Sequence, residues 1–406
     1  MRICFVVHRY GASVAGGAET ACRAYALALA RRGHDVYVLT SCARNYTDWE
    51  NAEPAGTTDD DGVTVHRLPT SQPRLVDRFS ELSGRVLNGN YRAPFHLERE
   101  WMLAQGPLMP ALVPWIEANA GDFDVVVFFT YLYYPTWAGL PAATGMAPVV
   151  FHPTAHDEAP FFLSLHRSTF AFADGLVFLT PEEGDLVHRV WHTRQPSDVI
   201  GIGVDVDAAD AVTADAGDRF RAEHGLAADE PYVVCVGRID PNKGTADLVD
   251  WYAHRSAATR DVRLVLVGDP ATDLDLPDGV IRTGIVDDDA KRRAIAGALA
   301  LASPSRFESF SIVLIEAWAQ RRPVLVRAQT PVLAGQVRRS RGGIAYRGAA
   351  ELDAAVELFV HDPETARRLG AHGRAYVDEN YAWPRLLDRY EAFLGRMADP
   401  ARRRSR

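Results

Sequence analysis

The chain begins with an uninterrupted apolar run, followed by a glycine-rich loop and then by apolar residues spaced three and four apart. The run Arg2–Val7 is typical of a strand buried on both faces, and the spacing over residues 18–32 predicts an amphipathic helix. Gly33 ends this helix, and the next apolar run, Val36–Leu39, predicts a second strand. The order strand, helix, strand predicts a βαβ unit and therefore a parallel sheet.

Short apolar runs, most of them followed by a predicted helix, continue through the rest of the chain. The first half has them at 62–70, 124–129, 148–151 and 175–179, and the second half at 232–236, 262–267, 280–281, 299–302 and 323–326. The stretch 199–229 between the two sets is rich in Ala, Asp and Gly, which is typical of a linker. We therefore predict two doubly wound α/β domains, residues 1–200 and 205–382, with a ligand cleft between them.

Composition narrows the class of protein. The chain has 406 residues and a net charge of −9, which argues against a nucleic-acid-binding protein. Its four cysteines form no CxxC pair, as in a cytoplasmic protein with reduced thiols. The first residues lead directly into a strand and no apolar stretch is long enough to span a bilayer, so neither a signal peptide nor a membrane span is expected.

The segment 74–105 mixes Phe, Leu and Trp with arginines, among them Arg74, Arg78, Arg85 and Arg92. Two interpretations remain open. The segment could form an amphipathic helix that faces an acceptor or a membrane surface, or a solvated helix with one face on the core. The basic tail 401–406 is either a frayed end or a contact with anionic lipid, so peripheral membrane contact at the inner face of a membrane stays open.

The segment Glu308–Glu316 begins just after an apolar strand and enters a helix that is apolar almost all the way round. Such a helix is buried, and a carboxylate within it, Glu316, needs a hydrogen-bond partner. The first N–H groups of the helix form a site for phosphate, and Glu316 could accept hydrogen bonds from two ribose hydroxyls. There are structural alternatives: Ser305 and Glu308 match a capping box, and Glu316 could pair with an arginine.

The loop GRIDPNKG after residues 232–236 carries two cations, Arg238 and Lys243. It lacks the glycine run and the Ser/Thr of a Walker A loop. Two cations on one loop at the end of a strand could hold a diphosphate without a metal, although two solvated charges would look the same.

Two glycines, Gly16 and Gly17, precede the first helix, where they would let a phosphate or sugar approach the backbone closely. An ordinary tight turn is the alternative. No GxGxxG is present, and Thr40 rather than an acidic residue closes the second strand, so no dinucleotide cofactor is expected.

Two histidines, His152 and His156, follow the strand 148–151 at the end where open α/β sheets bind their ligands. Asp157 and Glu158 come next, but the spacing fits no standard zinc pattern, so we expect no metal site.

Taken together, these motifs resemble those of retaining glycosyltransferases of family 4, which have the GT-B fold. The residues that carry the resemblance are 16–19 (GGAE), 236–244 (VGRIDPNKG), 267–270 (VGDP) and 305–316, with its two glutamates. The resemblance covers nearly the whole chain, although residues 45–120 match only by position. It implies two Rossmann-like domains facing across a cleft, with terminal crossover helices, residues 383–406, packing back on the N-terminal domain.

The resemblance also implies roles for particular residues. Arg238 and Lys243 would bind the donor diphosphate, Glu316 the donor ribose, and Glu308 the transferred sugar. The histidine near the reacting sugar would be His156, with His152 as its rival. The other donor-binding residues implied are Gly16, Gly17, Val286, Ser309, Phe310, Ser311, Ile312 and Val313. Ser311 departs from the family, which usually has glycine there, and its side chain would narrow the space beside the donor sugar.

The function implied is retaining, metal-independent transfer of a sugar from a nucleotide-diphosphate sugar to a hydroxyl acceptor on a glycan, a lipid or a small molecule. No cofactor is expected. The alternatives are a phosphorylase-like or sucrose-synthase-like enzyme of the same fold, a nucleotide-sugar epimerase, and a noncatalytic nucleotide-sugar-binding subunit. The sequence names neither the nucleotide nor the sugar.

Overall fold

The computed structural model of the protein describes residues 1–14, 16–88, 93–213, 215–269, 274–399 and 401. Arg92, Pro270 and residues 402–406, which entered the sequence analysis, lie outside the described residues. The chain divides into two compact units. Unit 1 comprises Met1–Ile202 and the C-terminal residues from Leu386 onward, and unit 2 comprises Gly203–Arg385.

Unit 1 is built on a sheet that is parallel except at one edge. Its strands are β1 (Arg2–Val6), β2 (Asp35–Ser41), β3 (Gly56–Asp60), β4 (Val63–Leu68), β5 (Val125–Phe129), β6 (Val149–His152), β7 (Gly175–Phe178) and β8 (Ser197–Val199). Their order in the sheet is β3-β4-β2-β1-β5-β6-β7-β8, and only the β3–β4 pair is antiparallel among the described strands. The helices are α1 (Gly17–Arg31), α2 (Val76–Leu87), α3 (Phe95–Gln105), α4 (Leu112–Asn119), α5 (Tyr134–Ala143), α6 (Arg167–Phe172) and α7 (Pro181–Trp191).

Unit 2 is built on a parallel sheet with the order β11-β10-β9-β12-β13-β14. The strands are β9 (Tyr232–Val236), β10 (Arg263–Val267), β11 (Val280–Gly284), β12 (Ala300–Ser303), β13 (Val324–Arg327) and β14 (Gly343–Tyr346). The helices are α8 (Val206–Asp210), α9 (Ala216–Glu223), α10 (Thr245–His254), α11 (Asp288–Ala296), α12 (Ile312–Ala319), α13 (Pro331–Ser340), α14 (Ala349–His361) and α15 (Pro363–Asn380).

The strand order reverses in each sheet, between β1 and β5 in unit 1 and between β9 and β12 in unit 2. Open α/β sheets bind ligands beyond the carboxyl ends of the strands at such a switch point. The loops that follow β9 and β12 are therefore next to each other at the expected position of a ligand. The predicted pair of Rossmann-like domains is confirmed.

The stretch predicted as a linker joins the two units and also contains two short helices. The unit boundary falls within it, and the two helices are α8 and α9. Asp205 caps α8 by accepting a hydrogen bond from the N–H of Ala208 at 2.8 Å. Phe220 on α9 is buried against the ring of Tyr232. The composition suggested a loop because Ala and Asp serve both in linkers and in short capped helices.

The segment 74–105 forms α2 and α3, whose apolar faces meet each other in a small core. Leu82 and Val86 of α2 and Trp101 and Met102 of α3 are buried there. The interpretation as helices with a core face is therefore confirmed, whereas contact with an acceptor or a membrane stays a prediction. Among the described residues, no helix has both the length and the apolar character that crossing a membrane requires.

Two glycines bring α15 unusually close to the end of α12. A Cβ on Gly373 would lie 2.1 Å from Cδ1 of the buried Trp318, and one on Gly370 would lie 2.0 Å from the carbonyl oxygen of Arg321. Only glycine permits this approach. Helix α12 is thus held firmly in unit 2 along its C-terminal half.

The C-terminal helix α16 (Trp383–Ala398) packs on unit 1 from Leu386 onward. The hydroxyl of Tyr390 lies 2.9 Å from Nε2 of His152 on β6, and Phe393 and Met397 pack on Gly175 of β7. The packing of a terminal helix on the N-terminal unit is as the family resemblance implied.

Candidate active site

The two cations of the loop after β9 have different partners. Lys243 donates a hydrogen bond from Nζ to Oε1 of Glu308 at 2.6 Å, and Glu308 is only 11% exposed. Arg238 is 45% exposed and lies 3.6 Å from Asp240 of its own loop. Asp240 also accepts the N–H of Lys243 at 2.9 Å, which fixes the turn. The structure therefore joins the predicted cationic loop to the predicted sugar-binding glutamate.

Close backbone contacts hold the loops after β9 and β12 together. The N–H of Arg306 donates to the carbonyl of Asn242 at 2.9 Å. A Cβ on Gly244 would lie 2.4 Å from the carbonyl oxygen of Pro304, so this position, with φ of 69°, requires glycine. The Lys243–Glu308 pair is thus positioned by backbone geometry rather than by the two flexible side chains alone.

Ser311 stands at the N-terminus of α12 in the left-handed region, with φ of 66°. Its hydroxyl is buried, has no hydrogen-bond partner within the part of the chain that the structure describes, and does not cap the helix. The N–H groups of Ile312 and Val313 also lack an acceptor among the described residues. Unpaired N–H groups at a helix N-terminus favour an anion. The alternative of a capping box at Ser305–Glu308 is wrong, because the helix begins only at Ile312.

The side chain of Phe310 points into the protein. It is 2% exposed and meets the ring of Tyr381 edge-on, with centroids 5.2 Å apart. Ser309 is also buried. These residues can meet a ligand mainly through their backbone, as the resemblance implied for Ser309–Ser311.

Glu316 on α12 forms an ion pair with a lysine rather than an arginine. Its Oε1 lies 2.8 Å from Nζ of Lys291 on α11, which also lies 3.0 Å from Asp288. The other oxygen, Oε2, is buried and has no partner among the described residues. Burial alone would lower the pKa of Lys291, but the two carboxylates outweigh it and raise that pKa. Val286 lies in the loop before α11 and is half-buried.

The two candidate histidines of unit 1 have very different surroundings. His152 is fully buried, stacks on Phe129 with centroids 4.3 Å apart, and has its pKa lowered to about 3 by burial. His156 is 31% exposed, and its Nδ1 lies 3.3 Å from Glu158, which also accepts a hydrogen bond from the Tyr131 hydroxyl. His152 is therefore a core residue, and His156 is the histidine that can meet a ligand.

A buried glutamate fixes the loop that carries His156. Glu183, on the first turn of α7, accepts the N–H groups of Ala155 and Leu179, both at 2.7 Å. Burial raises the pKa of Glu183 to about 7, although the backbone N–H groups counteract this. The position of His156 thus depends on a carboxyl group that titrates near neutrality.

Gly16 and Gly17 differ in what lies beside them. A Cβ on Gly16 would lie 2.2 Å from Oε2 of Glu19, whereas one on Gly17 would meet nothing within 4 Å. Glu19 is buried, forms an ion pair with Arg9 and lies 2.9 Å from Nε2 of His8. Burial alone would raise the pKa of Glu19, but its neighbours outweigh it and lower the pKa to about 2. An ionised carboxylate therefore lies against Gly16 but not against Gly17.

Two family models match the chain. The model described as "Glycosyl transferase 4-like domain" matches residues 16–203, and "Glycosyl transferases group 1" matches residues 217–376. The chain belongs to the family 4, group 1 glycosyltransferases. Its two matched regions lie in unit 1 and unit 2, respectively.

Relatives of this glycosyltransferase chain carry related names. A D-inositol 3-phosphate glycosyltransferase of Nocardia farcinica is 33% identical over 253 residues, which are 56% of this chain and 54% of the relative. A GDP-mannose-dependent alpha-(1-6)-phosphatidylinositol monomannoside mannosyltransferase of Mycolicibacterium smegmatis is 28% identical over 79% of this chain and 81% of its own. The chain spans about half the length of the first curated relatives it matches.

The fold of the chain is shared with solved structures. Sucrose-phosphate synthase from Thermosynechococcus elongatus superposes with a TM-score of 0.72 at 21% identity, covering 98% of each chain. The predicted GT-B fold class is confirmed by this likeness.

Lys291 and Glu183 were not predicted from the sequence as site residues, and Glu19 entered only as the last residue of the GGAE motif. A signal was present for Glu183, since Thr180 and Glu183 have the spacing of a capping box. Lys291 follows three aspartates at the start of a helix and looked like a solvated charge.

Proposed function

We propose that the chain transfers a sugar from a nucleotide-diphosphate sugar to a hydroxyl acceptor, with retention at the anomeric carbon. The observation that carries this proposal is the arrangement at the carboxyl edge of unit 2. There the Lys243–Glu308 pair, the start of α12 and the carboxylate of Glu316 lie on loops and a helix that flank the switch point of the sheet.

The donor diphosphate is assigned to the cations and the helix start. Arg238 and Lys243 follow β9, and the N–H groups of Ile312 and Val313 have no acceptor among the described residues. When the bond to the sugar breaks, negative charge grows on the diphosphate, and fixed cations and N–H dipoles stabilise it. We propose that this charge is balanced without a metal ion, and that no cofactor takes part.

The ribose is assigned to Glu316. Its Oε1 is held by Lys291, which leaves Oε2 as a buried acceptor with no partner among the described residues. A buried acceptor of this kind is costly unless a ligand hydroxyl donates to it. Glu308 is assigned to the hydroxyls of the transferred sugar.

The acceptor side of the reaction is assigned to unit 1. The ionised Glu19 beside Gly16 disfavours a phosphate there, so we assign the glycine pair to a hydroxyl-bearing part of the acceptor rather than to the diphosphate. His156 is assigned to the transferred sugar. The names of the two relatives mention inositol 3-phosphate and a phosphatidylinositol mannoside, which supports a polyol or glycosylated acceptor.

Retention is proposed to follow front-face departure and attack. The C–O bond to the diphosphate breaks, an acceptor oxygen bonds to the same face of the anomeric carbon, and its proton passes to the departing phosphate oxygen. No described carboxylate is clearly placed as a covalent nucleophile. We further propose a cytoplasmic location, which the four free cysteines support.

The test is turnover of UDP-, GDP-, ADP- and dTDP-sugars, with and without EDTA, followed as released nucleotide. We expect turnover of one donor, at a rate that EDTA does not change. Glu316→Ala and Arg238→Ala should each lose most of this turnover. Glu351→Ala, which changes an exposed glutamate of α14, is the matched control. Full turnover in Arg238→Ala would refute the assignment of the diphosphate. Donor isomerisation without an acceptor would indicate an epimerase, and binding without turnover a noncatalytic subunit.

A further inference from the structure

Unit 2 has a polar cavity that lies away from the proposed donor site. It has a volume of about 270 Å³ and is lined by α8, α9, the end of α11 and residues 320–322. Gly297 and Arg322 on its wall come just before β12 and β13, so the cavity lies at the amino edge of the sheet. Arg238 and Lys243 follow β9 at the opposite, carboxyl edge.

Three guanidinium groups line this cavity, and two of them have partners. Arg221 donates to the carbonyl of Gly297 at 2.8 Å and lies 3.2 Å from Asp218. Arg321 pairs with Asp210 at 3.1 Å. The third, Arg322, has no hydrogen-bond or ion-pair partner for its side chain among the described residues, and its Nε is buried.

The unpartnered guanidinium is in an unfavourable setting. Burial lowers the pKa of Arg322, and the charge of the neighbouring Arg221 acts in the same direction. Nε2 of Gln320, a residue that also lines the cavity, is a second buried donor without a partner among the residues that the structure describes. Buried donors without partners in a native structure call for an explanation, such as a bound ion or water. A small anion could accept hydrogen bonds from Arg322 and Gln320. It would also reduce the repulsion between the charges of Arg322 and Arg221.

The two carboxylates on the wall do not oppose such an anion strongly. Asp210 accepts both Nη groups of Arg374, at 2.6 and 2.7 Å, in addition to Arg321. Asp218 is matched by Arg221. Arg322 is thus the cation of the cavity wall that lacks a carboxylate among the described residues.

We propose that this cavity binds a phosphate group, with Arg322 and Gln320 as its hydrogen-bond donors. Guanidinium is the side chain best suited to a phosphate, since its N–H groups match two oxygens. The cavity is larger than a phosphate ion requires, so a phosphorylated small molecule such as a sugar phosphate fits its size. Helix α12 runs from the proposed donor site to this cavity, which makes the ligand a candidate effector of donor binding.

The experiment compares the full-length protein with Arg322→Gln and with Arg341→Gln, which removes the same charge from an exposed position after α13. Calorimetric titrations use inorganic phosphate, sulfate and glucose 6-phosphate at constant ionic strength, since salt screens nonspecific attraction. We expect Arg322→Gln to weaken phosphate binding at least tenfold and Arg341→Gln to leave it unchanged. Tighter binding of glucose 6-phosphate than of inorganic phosphate would identify a monoester as the ligand, and the reverse would identify the free ion.

Thermal unfolding provides a second, independent readout. Without phosphate, Arg322→Gln should be at least as stable as the wild type, because an uncompensated charge has been removed. With phosphate, the order should reverse, since ligand binding stabilises the folded wild type. If Arg322 instead only donates hydrogen bonds to carbonyl groups at the end of α12, Arg322→Gln will be less stable than the wild type without phosphate. Adding phosphate will then change the stability of neither protein. That result, or equal phosphate binding by the two variants, overturns the proposal.

Discussion

The strained serine at the start of α12 leads to a prediction about stability and donor binding together. Ser311 adopts a φ of 66°, which for a residue other than glycine costs about 1–2 kcal/mol. The residue is 6% exposed, and its hydroxyl is buried with no hydrogen-bond partner among the described residues. Burying a donor without a partner costs about 1–3 kcal/mol. Against these terms, glycine loses about 0.5–1 kcal/mol more conformational entropy on folding.

Two substitutions separate the contributions. Ser311→Ala removes the hydroxyl but keeps Cβ and the strain, and should stabilise unit 2 by about 1 kcal/mol. Ser311→Gly removes both, and should stabilise it by about 2 kcal/mol, which for a unit of this size raises Tm by roughly 4–8 °C. Arg341→Gly is the control, because Arg341 has a φ of 53° but is exposed. The stability that Arg341→Gly gains should be smaller, about 1 kcal/mol or less.

The assay is differential scanning calorimetry of the full-length variants, followed by donor titration. We expect both Ser311 variants to be more stable without donor. Because we propose that the buried Ser311 hydroxyl bonds to the donor sugar, both should also bind the preferred nucleotide-sugar more weakly. Ser311→Gly should in addition accept bulkier sugars. If neither variant is more stable than Arg341→Gly, the reasoning from strain and burial is wrong. If stability rises but donor binding is unchanged, the hydroxyl does not contact the donor.

Three further changes test other parts of the structure. Gly373→Ala should destabilise unit 2 by about 1–3 kcal/mol through its clash with Trp318, whereas Gly395→Ala, with open space around it, should stabilise α16 by about 0.5–1 kcal/mol; urea unfolding measures both. Glu183 has a pKa of about 7 in the folded state against about 4.5 unfolded, so the folded state binds its proton more tightly. The unfolding free energy of the wild type, measured relative to that of Glu183→Gln, should therefore fall by about 3 kcal/mol between pH 4.5 and 7. Buried histidines such as His152 and His166, whose lowered pKa acts in the opposite direction, contribute equally to both proteins and cancel in this difference. Tyr390→Phe should destabilise unit 1 by about 1–3 kcal/mol in urea unfolding, because it leaves buried His152 without its hydrogen bond; no loss would show that this bond does not hold α16.

Strands buried in a parallel sheet could be predicted because their apolar runs are long and nearly continuous, as in β5 and β9. Strands with little apolar character were missed. Strand β3, with the sequence GTTDD, pairs with β4 at the edge of the sheet. Strand β14 starts at Gly343, directly after Gly342. Such strands depend on neighbours that are distant in sequence, which a local pattern cannot show.

The candidate site was predictable where a residue type and its loop were both visible, as for Lys243 and Glu308. What the sequence could not show was pairing across elements. The partner of Glu316 is Lys291, 25 residues earlier and on another helix. The choice between His152 and His156 likewise needed burial, because the two residues are four positions apart and their exposures differ completely.

The packing of α16 on unit 1 has a consequence for biosynthesis. The ribosome makes residues 1–202 first, and domains tend to fold as they emerge. In this chain, however, the hydroxyl that bonds to His152 and the side chains that cover Gly175 belong to α16, which follows unit 2 in the sequence. The nascent N-terminal unit therefore waits for the whole of unit 2 to be synthesised with a strip of its apolar surface uncovered. Shortening the chain by its final helix should expose that strip permanently, so a truncated protein would be recognised by chaperones and proteases as unfinished.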